Sequence, residues 1–516
     1  MENDQQQPQP SKIGFFFGAG AEVSYGLPSG GRFALDIFRG NAEEEKKFFR
    51  SMVEKVNVTS TYANDWLPQN YKTKRVGAFG KAEFLTLIES SIEYRKSQII
   101  GFFDEFDSRI KKRLSKWDLT EDQVKAAFLR DVGNGIGDIH YGHSVELNQA
   151  LGGNTNLFDS DYFSAMLEVM KKFPNDKPMR SSLGAVLQLL VGSFGQELIQ
   201  TLNQEIFKKA PEDIPVFDDV SGLFRIEFAR AGLTALELIL EDAPKKVTPE
   251  SPIVSIFGEL LKATLEDLFS EALDYQALID SHYRYLYKPH AEWAKFCKIS
   301  IFLYTARNYI VNGAKECLET IHQGSGYYHD LLKMDPKTAV ISSIGTTNYN
   351  NLIEKVVTTA QAIHLNGNVD DYYDPYSNKI QTLNAEQLKQ QDRILVPFIF
   401  TQSGIKPLTS VEMSRKYVKL FDEYKHSDTI AVVGFAFNGD DGHINGLFRE
   451  LLDEHGKKIV VICLKGDKTD DELKKDYRRR LRAKTSEGLS VVQVDPESRC
   501  TPAGMLWLDA VIALSQ

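Results

Sequence analysis

Lys12–Gly31 reads K-I-G-F-F-F-G-A-G-A-E-V-S-Y-G-L-P-S-G-G. Ile13–Phe17 is a short apolar run with no polar alternation, the pattern of a strand buried on both faces of a parallel sheet. Gly18-Ala19-Gly20 follows at once. Small residues there permit a tight turn and expose backbone N–H groups at the start of a helix, which is a seat for phosphate. Alone, a strand and glycine turn is equally a plain strand-to-helix connection.

Working outward, Arg32–Arg39 reads as the first helix. From residue 41 to residue 333 strand text is scarce and helical spacing dominates. Phe84, Ile88, Ile92 and Ile99 recur on one helical face, and Leu183–Phe194 reads as a buried helix. Ser251-Pro252 has the form of an N-cap followed by proline in the first turn, ahead of an amphipathic run from Ile253 to Leu278. Strand text returns with Thr338–Ile344, Ala362–Leu365, Arg393–Phe400, Thr429–Phe437, Lys458–Leu464 and Leu489–Val494. Helical stretches separate several of these runs. That alternation predicts an α/β fold with a Rossmann-like, doubly wound parallel sheet. Its domain is discontinuous, residues 11–40 plus 334–516, and residues 41–333 form a large helical insertion. Residues 1–10, polar and rich in Gln and Pro, read as a disordered tail rather than a signal peptide.

The composition sets limits. The 516 residues are 42% hydrophobic and 26% charged, ordinary for a soluble globular protein of two or three domains. No apolar run is long enough to predict a membrane span. The net charge of -10 argues against nucleic-acid binding by the chain as a whole. Arg478–Lys484 is basic, with acidic residues before it on the same predicted helix; it reads as a solvated, charge-paired face, with a contact to a partner or nucleic acid as the alternative. Cys297, Cys317, Cys463 and Cys500 are scattered, which suits a reducing cytoplasm. Asp440, Asp441 and His443 share a loop, yet ordinary turn and capping chemistry explains them, and no metal site is expected.

Three further motifs sit where strands end. Thr346-Thr347-Asn348-Tyr349-Asn350 follows one strand, Ile363-His364-Leu365-Asn366-Gly367 closes another, and Val433-Gly434-Phe435 a third. With G-A-G-x-x-x-S-x-G-L-P at Gly18–Pro28, these resemble, in order, the motifs of the sirtuin superfamily, which binds NAD. The resemblance covers the flanking segments only. It breaks after Pro28, where sirtuins continue with Asp-Phe-Arg and this chain has Ser29-Gly30-Gly31.

The resemblance implies the following roles. Asn348 is the catalytic asparagine beside the nicotinamide ribose. Gly18, Ala19, Gly20, Ser24, Pro28, Thr347, Asn350, Asn366, Gly434 and Phe435 contribute to NAD binding. Asn350 stands where sirtuins carry Asp, and an Asn there is equally an Asx-turn residue capping the next helix. Asn366 stands where sirtuins carry the His that acts as base. A neutral Asn cannot take a proton at neutral pH. His364, two residues earlier, points to the same face of a strand and is the candidate for the proton. The paired cysteines of the sirtuin zinc module are missing, so no zinc is expected. This pattern resembles the sirtuin-like domains of bacterial antiphage defence proteins. The implied activity is hydrolysis of NAD+, as substrate, to ADP-ribose and nicotinamide, with NAD+ depletion on infection (abortive infection). The implied setting is cytoplasmic, as a homo-oligomer, with a partner defence protein or a phage trigger. The rival readings are a catalytically silent NAD or ADP-ribose sensor or scaffold and, more distantly, a protein deacylase.

Overall fold

A computed structural model of the chain describes residues 9–27, 30–139, 155–194, 232–272, 280–318, 321, 323–399 and 410–516. Pro28, Phe400 and most of the expected N-terminal tail lie outside the described residues. The strands are β1 (Ser11–Phe17), β2 (Ala339–Thr346), β3 (Ile363–His364), β4 (Asp371–Asp374), β5 (Lys379–Thr382), β6 (Val396–Pro397), β7 (Thr429–Val433), β8 (Lys458–Leu464) and β9 (Leu489–Val494).

A 6-stranded sheet has the order β3-β2-β1-β7-β8-β9, and every pairing in it is parallel. This is the order of a doubly wound, Rossmann-like sheet, with the direction of winding reversing between β1 and β7. Ile13–Phe17 therefore shares one sheet with Ile363–His364, as the split strand text predicts.

The period of two in β1 divides the core. Phe15 and Phe17 face a cluster with Val433, Val460, Trp507 and Leu508. Phe16 faces the opposite cluster with Val432, Val461, Tyr424 and Phe448. Burying both faces explains why Ile13–Phe17 carries no polar side chain. Gly14 and Gly345 let the helix Val411–Lys425 come close. A Cβ on Gly14 would stand 2.8 Å from the Tyr424 ring, and one on Gly345 2.6 Å from Leu420. Tyr424 uses that space to donate a 2.7 Å hydrogen bond to the Phe15 carbonyl.

Val396–Pro397 departs from expectation. Instead of joining the parallel sheet, β6 pairs antiparallel with β4 in a 3-stranded sheet of order β5-β4-β6. Pro397 has no N–H for a ladder and suits an edge strand. The Phe398 N–H donates to Asp371 instead. The β4–β5 hairpin went unpredicted because Asp371 and Asp374 break its hydrophobic text. Both are buried and ion-paired, Asp371 with Lys416 and Asp374 with Arg393. The predicted strand Thr429–Phe437 stops at Val433, where Gly434 turns into the left-handed region at φ 67°.

The chain divides into two compact units, residues 1–29, 41–79 and 276–516, and residues 30–40 and 80–275. Both boundaries differ from the sequence expectation. Helix Gly30–Arg39 belongs with the helical unit, where Arg32 and Arg39 both pair with the buried Glu266 of Ile253–Ala272. Residues 41–79 and 276–333 belong with the sheet. Helix Glu43–Lys55 sets Phe48 against Tyr304 and Phe49 against Phe296 of helix Trp293–Glu316. An amphipathic helix announces its apolar face but not its partner. In the second unit, every regular element among the described residues is helical. No described helix is long and apolar enough to cross a membrane.

Candidate functional site

The motifs meet at the carboxyl edge of the parallel sheet. Gly18 follows β1, Thr347 follows β2, Asn366 lies beyond β3 and Gly434 follows β7. In open α/β sheets, ligands bind at this edge, at the point where winding reverses.

The glycines at this point serve packing first. A Cβ on Gly18 would approach Phe435 Cα to 2.9 Å, and one on Gly20 would approach Gly434 Cα to 2.8 Å. Gly18 N–H donates to Val433 O at 2.9 Å, Gly20 N–H to Gly434 O at 2.9 Å and Ala21 N–H to Gly18 O at 3.0 Å. These amides are spent inside the fold, so they do not form the open phosphate seat read from the sequence. The segment Ala19–Tyr25 is a short 3-10 helix, and Ala19 is exposed on it. Ser24 turns its hydroxyl back to Ala21 O at 3.2 Å. Phe435 is buried against Phe16 and Phe437, in the core rather than facing a ligand.

The end of β2 is clamped to β1. Thr346 Oγ1 and Thr347 N–H both donate to Phe17 O, at 2.9 and 3.1 Å. Thr346 Oγ1 also receives the Asn348 N–H at 2.9 Å. Asn348 is buried, and its Nδ2 donates to Gly18 O at 3.2 Å and to the Tyr328 hydroxyl at 3.1 Å. The first and second motifs are thus in direct contact. Asn350 does both things expected of it. Its Oδ1 accepts the Leu352 N–H as an Asx turn opening helix Leu352–Val356, and its Nδ2 is turned inward.

What Asn350 meets is Glu22, which the sequence reading passed over. Glu22 is only 4% exposed. Asn350 Nδ2 donates to Glu22 Oε2 at 2.7 Å, and the Tyr328 hydroxyl donates to Oε1 at 2.8 Å. Tyr328 also escaped the reading. Its ring lies between Phe17 (5.0 Å) and Tyr25 (5.3 Å), at the start of helix Tyr327–Leu331. That helix is anchored by buried Asp330, which takes hydrogen bonds from Arg499 (2.7 Å) and Trp507 (2.9 Å). The signal for Glu22 was present. It is the one charged residue between Ile13 and Leu27, in otherwise small, apolar or neutral polar text. Tyr328 carries no local signal.

Burial pushes the Glu22 carboxyl up to about 7, against the smaller downward pull of Asn350, Tyr328, Asn348 and the His364 charge. The consequence for stability has a definite sign. Between its ordinary value of 4.5 and about 7, the folded chain holds a proton that the unfolded chain releases. Glu22 therefore stabilises fully below the ordinary value, and its contribution is lost as pH rises to about 7. The loss is roughly 3 kcal/mol. Urea unfolding of wild type and Glu22→Gln across this window is the check. The substitution is expected to flatten part of the slope, and an identical slope refutes the assignment.

His364 pairs with the end of β2 in the sheet register and is buried. Its Nδ1 lies 2.8 Å from Asn348 O, which can only accept, and its Nε2 lies 2.9 Å from Glu354 Oε1. Burial raises the Glu354 carboxyl, but the His364 hydrogen bond and charge outweigh it and leave it below its ordinary value. Both ring nitrogens are thus engaged. His364 fastens the Asn348 backbone, and the proton role read from the sequence does not suit this arrangement. Asn366 is buried beside it, with Nδ2 3.5 Å from Thr347 O.

The basic helix face behaves as expected. Arg479 pairs with Asp476, and Arg478 and Arg480 donate to the carbonyls of Lys484 and Ala436. Among the described residues, no cluster of three or more His, Cys, Asp or Glu is arranged to hold a metal ion. Compared with protein-family models and with curated proteins, the chain matches none.

Proposed function

We propose that this chain is a sirtuin-like NAD+ hydrolase that releases nicotinamide and ADP-ribose. One observation carries the reading: the buried Asn348 amide meets the glycine turn at the reversal point of the sheet, with Glu22 and Asn350 beside it. A dinucleotide is the ligand class that such an edge accommodates. Cleaving its nicotinamide bond passes through an oxocarbenium-like state, which needs orientation and charge stabilisation more than a strong nucleophile. With its Nδ2 hydrogens given to Gly18 O and the Tyr328 hydroxyl, Asn348 offers its Oδ1 as a neutral acceptor for a ribose hydroxyl or a water. In the proposed setting, NAD+ loss halts infected bacterial cells, and the helical unit contributes oligomer contacts or trigger sensing.

A second reading is favoured by specific contacts. With both His364 nitrogens engaged and so no base supplied by β3, the site also suits binding without cleavage. Incubating the purified chain with NAD+ and following nicotinamide by chromatography separates the two. Stoichiometric nicotinamide and ADP-ribose are expected. Calorimetric binding of NAD+ with no nicotinamide released would replace the hydrolase by the sensor. An acetylated ADP-ribose product from an acetyl-lysine peptide would instead indicate a deacylase. Cells expressing the chain are expected to lose NAD+ on phage infection.

A further inference from the structure

A buried carboxylate ordinarily has a cation beside it, because leaving the charge uncompensated costs several kcal/mol. Glu22 is an exception. Among the described residues, no Lys or Arg pairs with it. Its partners are the neutral Asn350 amide and Tyr328 hydroxyl. The titratable groups around it are Tyr328 on Tyr327–Leu331, Cys317 at the end of Trp293–Glu316, His364 on β3 and Tyr25 on its own segment. Tyr328 and Cys317 are both held up by burial, with the Glu22 charge as a further cause, so neither ionises to compete with it near neutral pH. The one positive charge acting on Glu22 is that of His364, which is bonded to Glu354 instead, so among the described residues no cation touches the Glu22 carboxylate.

The geometry points to Glu22 as the catalytic carboxylate whose counter-charge comes with the substrate, making oxidised, cationic nicotinamide nucleotides the substrate class and disfavouring the reduced, neutral ones. This rests on the NAD+ reading above. NAD+ carries its positive charge on the nicotinamide ring. As the bond from C1′ to the ring nitrogen breaks, its electron pair leaves with nicotinamide, and the positive charge moves to C1′ and O4′ of the ribose. Glu22 attracts that charge. Water oxygen then bonds to C1′, and the proton it sheds passes to Glu22 and on to solvent. The products are ADP-ribose, nicotinamide and one proton. Tyr328 and Asn350 are positioning residues: they hold the carboxylate by donating to it, which favours its charged form. NADH brings no charge to offset the ionised Glu22, so it binds less well.

The test is kcat/KM for NAD+ from about pH 5.5 to 8.5, with NADH as a competitor. Wild-type activity is expected to rise by up to tenfold per pH unit and to level off above about pH 7. NADH is expected to compete poorly. Glu22→Gln should lose roughly a hundredfold or more at the plateau, together with the acid limb and the preference for NAD+ over NADH. Tyr328→Phe covers the case in which Glu22→Gln does not fold. It keeps the carboxylate but removes one donor, so the acid limb should move to higher pH, whatever level the plateau takes. A merely structural glutamate would lower the melting temperature and leave the limb in place. The proposal is overturned if Glu22→Gln stays within about twofold of wild type on the plateau, an effect far below that of a lost transition-state contact, or if the limb ignores Tyr328→Phe. If wild type binds NAD+ without cleaving it, equal affinity for NADH overturns the proposal. A wild-type chain that neither binds nor cleaves NAD+ overturns the parent reading too.

Discussion

Asn348→Ala is expected to lower NAD+ cleavage by about a hundredfold or more, the loss typical of one preorganised polar group at a developing charge. The effect should fall on kcat rather than KM, because the amide acts where charge develops while the rest of a dinucleotide supplies most of the binding. The substitution also has a structural cost. The amide is buried and bonded to Gly18 O and the Tyr328 hydroxyl, so its removal leaves both groups short of a partner. That costs roughly 1–3 kcal/mol. A thermal melt must therefore accompany the kinetics, and rates must be taken where the variant is fully folded. A folded Asn348→Ala chain turning over NAD+ at the wild-type rate would remove the asparagine from the mechanism. A lower melting temperature with unchanged kcat would leave it the structural role alone.

The second large effect is on folding. Gly434→Ala is expected to destabilise the sheet unit by roughly 3 kcal/mol or more, combining a left-handed non-glycine residue with overpacking. Gly434 has φ 67°, and a Cβ there would strike the backbone of Ala21 and stand 2.8 Å from Gly20 Cα. The obstacles are main chain, so no side chain can swing away to make room. The glycine turn after β1 and the one after β7 would be forced apart at the point where Gly20 N–H reaches Gly434 O. Gly466→Ala is the control, because nothing lies within 4 Å of its added Cβ and its φ is not positive. Denaturant unfolding of the two variants gives the comparison. Equal midpoints would mean that the close approach of the two turns does not matter to the fold.

The parallel strands and the motifs at their ends are legible in the order of residues alone. Ile13–Phe17, Lys458–Leu464 and Thr429–Val433 are apolar enough to be read as strands because both faces of the sheet are covered. Gly18, Asn348, His364 and Gly434 end strands, so placing the strands in one sheet placed these residues along one edge. What they touch depends on contacts between distant segments. Tyr328 and Glu22 are 306 positions apart, and no local pattern pairs them. The carboxylate could be noticed in the sequence, but its burial without a cation could not. His364 read as a base because a histidine near a strand end can move protons. Only packing supplied Glu354 and the Asn348 carbonyl to occupy its nitrogens. The unit boundaries followed the same rule. Helix Gly30–Arg39 shows its apolar face in sequence, but the Glu266 that claims its arginines lies more than two hundred residues away. Periodicity is a local property of the chain, whereas burial, charge pairing and the choice of partner are set by which distant segments come to share a surface.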